Sequence, residues 1–259
     1  MRSVVTDDNE KILKADRFVS HPGDAATGNL RKRFYEEATS RAADDGFIIE
    51  LDGRPIKTPA RAALTVPTAA LGNVIAEEWN AQERHIVPET MLVTKLANTA
   101  LDRVVPRKDE VVDEIAAFGG SDLVCYRADE PESLVTFQSE KWDPLLDWLD
   151  GRYQVRLELA SGVIFKEQPP EALARLGDIV AVRAVFELAG LHQVVSLCGS
   201  LVLGLALLDS HITADQAHDL AHLDEAWQAE RWGWDDEAQA RLEGRRKMLN
   251  ATAKYLELL

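Results

Sequence analysis

Between Asp44 and Pro67 the chain is punctuated by Asp44-Asp45-Gly46, Asp52-Gly53, Pro55, Pro59 and Pro67. So dense a run of turn residues can neither continue a helix nor carry a long strand, and it restricts this stretch to short antiparallel strands. Phe47-Ile48-Ile49-Glu50-Leu51, held between the first two turns, reads as one such strand. Asp52-Gly53 supplies the positive-φ pair of a tight hairpin, and the residues before Pro55 and Pro59 are driven out of the helical region into extended backbone. Phe34 to Ala43 is ambiguous by propensity, since Glu and Ala favour helix. The turn that follows it makes it the hairpin partner of the strand after it.

Beyond Pro67 the pattern changes to helical. Leu71, Val74, Ile75, Ala76 and Trp79 fall on one face of a helix running from Pro67-Thr68 to about Arg84, which should lie across the sheet. After Pro88 helical periodicity covers 94–104, 107–118, 133–150, 171–189, 191–208, 213–230 and 236–257, with Tyr153 to Ile164 as an extended excursion. The fold class this gives is α+β. A small N-terminal antiparallel sheet with a packed helix, a two-layer α/β unit over 31–92, precedes a C-terminal orthogonal helical bundle over 93–259, and residues 1–30 form a flexible arm. Ser196, Ser200 and Gly204 recur every four residues along 191–208 and form a small-residue ridge that another helix can approach closely, placing this helix at the bundle centre.

The 44 acidic and 29 basic side chains give a formal charge of −15, which repels nucleic acid and anionic lipid and favours basic protein surfaces. Cys125 and Cys198, both in apolar surroundings, suit reduced packing thiols. The first ten residues lack an apolar core and carry acids, so neither a secretory leader nor an Arg-rich transit peptide is expected, and the chain should remain in the cytoplasm. Val194 to Leu208 is apolar but short of the roughly 20 residues that span a bilayer.

Catalytic devices are weakly represented. His218 and His222 stand one helical turn apart with Asp215 before them, a spacing resembling the zinc-protease pattern, but Asp219 stands where glutamate is required and no third-ligand motif follows. A metal-dependent hydrolase using the His218/His222 face is the alternative reading, against a solvated helix face whose Thr213 and Gln216 form a capping box. Ser200, Cys125 and Cys198 sit in no nucleophile context, and no Gly-rich phosphate loop occurs, so neither cofactor nor nucleotide is expected. Pro144 reads as a first-turn helix proline beside Trp142, which with Trp148 could seat its helix on the bundle, and Gln82 as the residue fixing the turn to Pro88.

Leu51-Asp-Gly-Arg-Pro-Ile-Lys-Thr-Pro59, Ala76-Glu-Glu-Trp-Asn-Ala-Gln82, Leu96-Ala-Asn-Thr-Ala-Leu-Asp102, Trp142-Asp-Pro-Leu-Leu146 and Gln228-Ala-Glu-Arg-Trp-Gly233 together resemble the Atp12 family of assembly chaperones for the α subunit of the F1 ATP synthase. The resemblance runs over most of 30–240 and implies an ATP-independent chaperone of the unassembled F1 α subunit, monomeric when free, and a bacterial cytoplasmic member of the family. Family members carry an acidic residue beside the Gln-x-x-x-Trp-Gly element, a place the resemblance implies to be functionally sensitive. Here Asp224 and Glu225 share that place. Partner binding is therefore expected at Asp224, Glu225, Gln228 and Trp232, with Trp79 as a further candidate that also reads as core.

Overall fold

The structure, a computed structural model, describes residues 30–162, 165–233 and 235–259. The arm expected over residues 1–30 lies, apart from Leu30, outside the described residues. Strands β1 (Ala38–Ala43) and β2 (Gly46–Leu51) pair antiparallel from Ala38↔Leu51 to Ala43↔Gly46, leaving Asp44-Asp45 as the turn. β3 (Arg54–Pro55) folds back on β2 through Asp52-Gly53, whose φ angles are 49° and 72°, and β4 (Thr65–Val66) pairs with β2 at Phe47↔Val66. Every other strand of this sheet therefore meets β2. The hairpin strand starts at Ala38 rather than Phe34 because the Asp52 carboxylate takes the backbone N–H groups of Glu36 (3.0 Å) and Glu37 (2.9 Å).

Helix α1 (Ala69–Asn80) is capped by Thr68, whose hydroxyl accepts from the Leu71 N–H at 3.1 Å, and it buries Leu71, Ile75 and Ala76 toward the sheet. It ends at Asn80 rather than Arg84. The Gln82 side chain takes over there, accepting from the Val87 N–H (2.7 Å) and donating to the Glu78 carbonyl (3.0 Å) and the Thr90 hydroxyl (3.1 Å), so Gln82 does fix the turn to Pro88. Helix α2 (Leu92–Thr99) starts on the Glu78 carboxylate, which accepts from the N–H groups of Val93 (2.8 Å) and Thr94 (2.7 Å). It runs on through a wide turn at Ala100–Val104 into α3 (Lys108–Ala116).

Strands β5 (Tyr126–Arg127) and β6 (Ala160–Ser161) form a short parallel pair, the latter within the extended excursion after α4 (Glu132–Tyr153). Pro144 lies in the interior of α4, not in its first turn, and removes the N–H that would reach the Glu140 carbonyl. Both residues are exposed, so water can serve that carbonyl. The remaining helices are α5 (Pro170–Ala181), α6 (Val185–Cys198), α7 (Leu201–Leu208), α8 (Ala214–Ala221), α9 (Leu223–Trp232) and α10 (Asp236–Glu257). Only the last matches an expected helix end to end. The helix expected over 171–189 breaks at Val182-Arg183-Ala184, where Glu187 reaches back to accept from the Ala184 N–H at 2.7 Å. The one expected over 213–230 breaks at His222. No helix among the described residues is long and apolar enough to cross a membrane.

The helix expected over 191–208 is two. Gly199 adopts the left-handed conformation (φ 65°) that ends α6, and the buried Ser200 becomes the cap of α7, its hydroxyl accepting from the Leu203 N–H at 3.0 Å. Ser200 therefore belongs to no ridge. The close approach survives at Gly204, where a Cβ would sit 2.5 Å from Val195 Cγ2 and 3.0 Å from Leu191 Cδ1. The α6–α7 hairpin is the most enclosed part of the bundle, with Leu191, Val194, Val195, Leu201, Val202, Leu203 and Leu205 all inaccessible.

Beneath it, Asp122 is wholly buried and its carboxylate accepts from the N–H groups of Val124 (3.2 Å) and Val202 (2.9 Å), tying a loop to the start of α7. Burial pushes its pKa up to about 6, the hydrogen bonds opposing the rise. Cys125 and Cys198 are buried free thiols, and burial raises both, that of Cys198 to about 12, as befits packing rather than reactivity.

Gly204→Leu should overpack the hairpin and destabilise the protein by about 1–3 kcal/mol or more; an unchanged urea midpoint would show that the hairpin gives way at no cost. The raised value of Asp122 means that the folded state holds the proton more tightly than the unfolded chain. Its contribution to stability is present in full below the ordinary value of 3.8 and is lost as pH rises through about 6. Relative to Asp122→Asn, the native chain should therefore be about 1 kcal/mol more stable at about pH 5 than at about pH 7.5. Urea melts that differ by the same amount at both pH values would refute this.

Candidate functional site

The N-terminal turn of α9 and the middle of α4 enclose a cleft of about 270 Å³ lined by Leu123, Trp142, Ala221, Asp224, Glu225 and Gln228. Trp142 is fixed by burial and by its indole N–H, which donates to the Leu220 carbonyl at 3.0 Å. One turn before it on α4, the buried amide of Gln138 accepts from the Ala128 N–H (2.8 Å) and donates to Asp224 Oδ1 (2.8 Å). Asp224 is thus held half-buried against the bundle, and partial burial pushes its carboxyl above the ordinary value while the Gln138 amide pulls the other way.

Glu225, on the same cleft, is the more exposed of the two acids. Its side chain is 58% exposed, 3.7 Å from the His222 imidazole, and that neighbour holds its carboxyl below the usual range. Gln228, one turn on, is exposed. Trp227 is core, with the Arg231 guanidinium 3.3 Å above its ring. Trp232 is 75% exposed and stands edge-on to Trp227 with ring centroids 6.3 Å apart. Gly233 closes the helix with φ 90° but extended ψ, not in the left-handed helical conformation.

The five sequence candidates thus separate. Asp224, Glu225 and Gln228 line one cleft, Trp232 projects from the end of the same helix, and Trp79 lies on the sheet unit in a different groove. Trp79 is partly buried, its carbonyl accepting from the Tyr35 hydroxyl at 2.7 Å and its ring packing edge-on to Tyr35 at 5.6 Å. Gln138 escaped the sequence reading. The signal for it was a polar residue on the stripe Leu134, Trp142, Leu145 and Leu149, all buried in the structure.

His218 and His222 do not lie on a solvated face. They are 4% and 5% exposed, with rings 4.8 Å apart, and His218 sits between Asp219 Oδ1 (3.3 Å) and the Leu242 carbonyl (3.1 Å). Burial lowers the pKa of His218. Thr213 and Gln216 do form the capping box, with bonds of 3.2 and 2.8 Å. Among the described residues no group of three or more potential ligands could hold a metal, and nothing in this geometry supports a hydrolase. An apolar floor with a two-carboxylate rim suits the capture of a basic or amide-bearing side chain instead.

The family described as ATP12 chaperone protein matches residues 32–150. The crystal structure of Atp12 from Paracoccus denitrificans is similar to this chain with a TM-score of 0.85 and 41% identity, over 88% of this chain and 98% of that one. A solved structure from Agrobacterium tumefaciens matches 97% of each chain at 37% identity, again with a TM-score of 0.85. Protein atp12, mitochondrial, of Schizosaccharomyces pombe is 26% identical over 214 residues, 78% of this chain and 74% of the relative. On this identity over nearly the full length of solved members, and on the shared sheet and bundle, the chain belongs to the Atp12 chaperone family.

Proposed function

We propose that this protein is an ATP-independent chaperone of the bacterial cytoplasm that binds the unassembled α subunit of the F1 ATP synthase and promotes F1 assembly, acting as a monomer when free. The observation that carries the proposal is the gathering of Asp224, Glu225 and Gln228 over Trp142 in one cleft on a member of this chaperone family. A ring subunit before assembly exposes a large apolar interface that aggregates unless it is covered. A chaperone must cover such a face and then leave, which favours an aromatic anchor with a polar, acidic rim over a wide apolar interface. The sequence offers no Gly-rich phosphate loop, in keeping with a cycle that does not use ATP in the chaperone itself.

The two acids differ in what their loss should do. Glu225 is exposed and its ion pair among the described residues is with His222, so Glu225→Lys should change stability by no more than about 1 kcal/mol. Loss of a charge pair desolvated against the client should cost about 2–5 kcal/mol of binding. Asp224→Lys leaves the buried Gln138 amide without its acceptor and should additionally destabilise the fold by about 1–3 kcal/mol. The measurement is recovery of soluble α subunit on co-expression, beside urea melts of each variant. Recovery should collapse with Glu225→Lys while the melt hardly moves, and recovery should survive enzymatic removal of ATP in purified mixtures. A folded Glu225→Lys protein that keeps the α subunit soluble would show that this cleft is not the client site.

A further inference from the structure

The sheet unit carries a second groove, of about 460 Å³, which no part of the acidic cleft shares. Its walls are apolar, with Leu30 and Phe34 more than half exposed (52% and 56%) beside Ile56 and Trp79. Among the described residues, the charged groups on its lining are Arg31 and Lys57, and no described carboxylate lines it. Neither cation is in an ion pair among the described residues; the Arg31 guanidinium lies 4.3 Å over the Phe34 ring, a contact that steadies an exposed aromatic. Trp79 also lines the groove, and its indole N–H is enclosed with no acceptor among the described residues. In a chain of formal charge −15, an apolar trough edged only by cations is a local reversal of the overall field.

We propose that this groove docks an extended protein segment in which apolar side chains are followed directly by carboxylates. The apolar walls take the side chains, and Arg31 and Lys57 select the acidic flank. An anionic lipid surface or a nucleic acid would meet the repulsion of the whole molecule, whereas a short acidic segment meets only the local cations. The proposal rests on the reading of this protein as a chaperone and adds a second client contact, opposite in charge preference to the Asp224 and Glu225 rim.

The test uses the full chain, labelled with nitrogen-15, and two synthetic peptides, Ac-Leu-Phe-Glu-Glu-NH2 and Ac-Leu-Phe-Lys-Lys-NH2. The Trp79 indole N–H signal, assigned through Trp79→Phe, should shift with the acidic peptide, which should bind at least about ten-fold more tightly than the basic one. The exposed double variant R31E/K57E should abolish that preference or invert it, and Phe34→Ala, also at an exposed position, should weaken the acidic peptide about five-fold or more. Equal binding of both peptides, or binding that leaves the Trp79 signal and its exposed neighbours unmoved, would overturn the proposal. So would a Trp79 signal that moves with protein concentration alone, since the occupant would then be a second copy of the chain. Peptide binding that persists when Glu225→Lys abolishes client capture upholds the groove and bears against neither reading; an R31E/K57E variant that loses the peptide preference yet captures the client as well as the native chain removes the groove as a client contact and leaves the chaperone reading standing.

Discussion

Tyr255 closes the fold. The sheet offers two strands of six residues and two of only two residues, too little surface to be stable without cover. Its apolar face is completed by Leu71 and Ile75 of α1, by Val93, Leu96 and Ala97 of α2, and by Tyr255 near the end of the chain, wholly enclosed among them. The Tyr255 hydroxyl donates to the Phe186 carbonyl of α6 at 3.0 Å, and the Thr68 hydroxyl, at the start of α1, donates to the Leu258 carbonyl. Two turns earlier on α10, Leu249 is buried in the bundle core. One helix therefore belongs to both cores, and the sheet borrows its last wall from the bundle.

A second set of constraints is polar and explains why the most patterned segments of the sequence look functional. Glu78 caps α2; Asn80 accepts from the Ala38 N–H and donates to the Ala38 carbonyl, both at 2.8 Å, sealing the start of β1; Gln82 fixes the turn to Pro88. Asp102 reaches across to the Thr58 hydroxyl and the Ala60 N–H (2.9 Å), so the Leu51–Pro59 and Leu96–Asp102 segments meet in space. Each side chain binds backbone groups of a neighbouring element, and replacing Glu78 or Asn80 by a shorter or apolar residue would leave the N–H groups of buried Val93, Thr94 or Ala38 unmet. Dense patterning here marks brackets between elements rather than a contact surface.

Turn chemistry was the most legible part of the sequence, because it is local: the Asp52-Gly53 hairpin and the Thr213 capping box follow from adjacent residues. The break at Gly199-Ser200 was hidden for a physical reason. α6 and α7 are apolar on nearly every face, so their periodicity carries no phase from which an interruption could be read. The site was legible where it is contiguous, as with Asp224, Glu225 and Gln228, and illegible where the chain closes on itself. Gln138 lies 86 residues from the Asp224 it holds. Trp79, a further candidate that also read as core, is packed on the sheet, whereas Trp232 projects from α9. The histidine pair failed in the opposite direction, since its spacing suggests an open face while α10 supplies the Leu242 carbonyl that covers it.

The two grooves together bear on how a chaperone of this kind can be both selective and releasable. Each is small, so neither buries the area of an obligate interface, and on the chaperone reading affinity comes from a few anchors rather than from extent. Selectivity then falls to charge. The α9 cleft presents Asp224 and Glu225, and the sheet groove presents Arg31 and Lys57, so on the two-contact proposal a client offers a basic group to one and an acidic group to the other. A random apolar surface can match either groove but rarely both in the required order, and the mismatch places like charges together. Because the two sites sit on units joined through α10, simultaneous occupancy gains from their fixed separation without enlarging either contact. On the same proposal, an assembly partner that displaces the client from one groove leaves it held by a single small contact, which favours release.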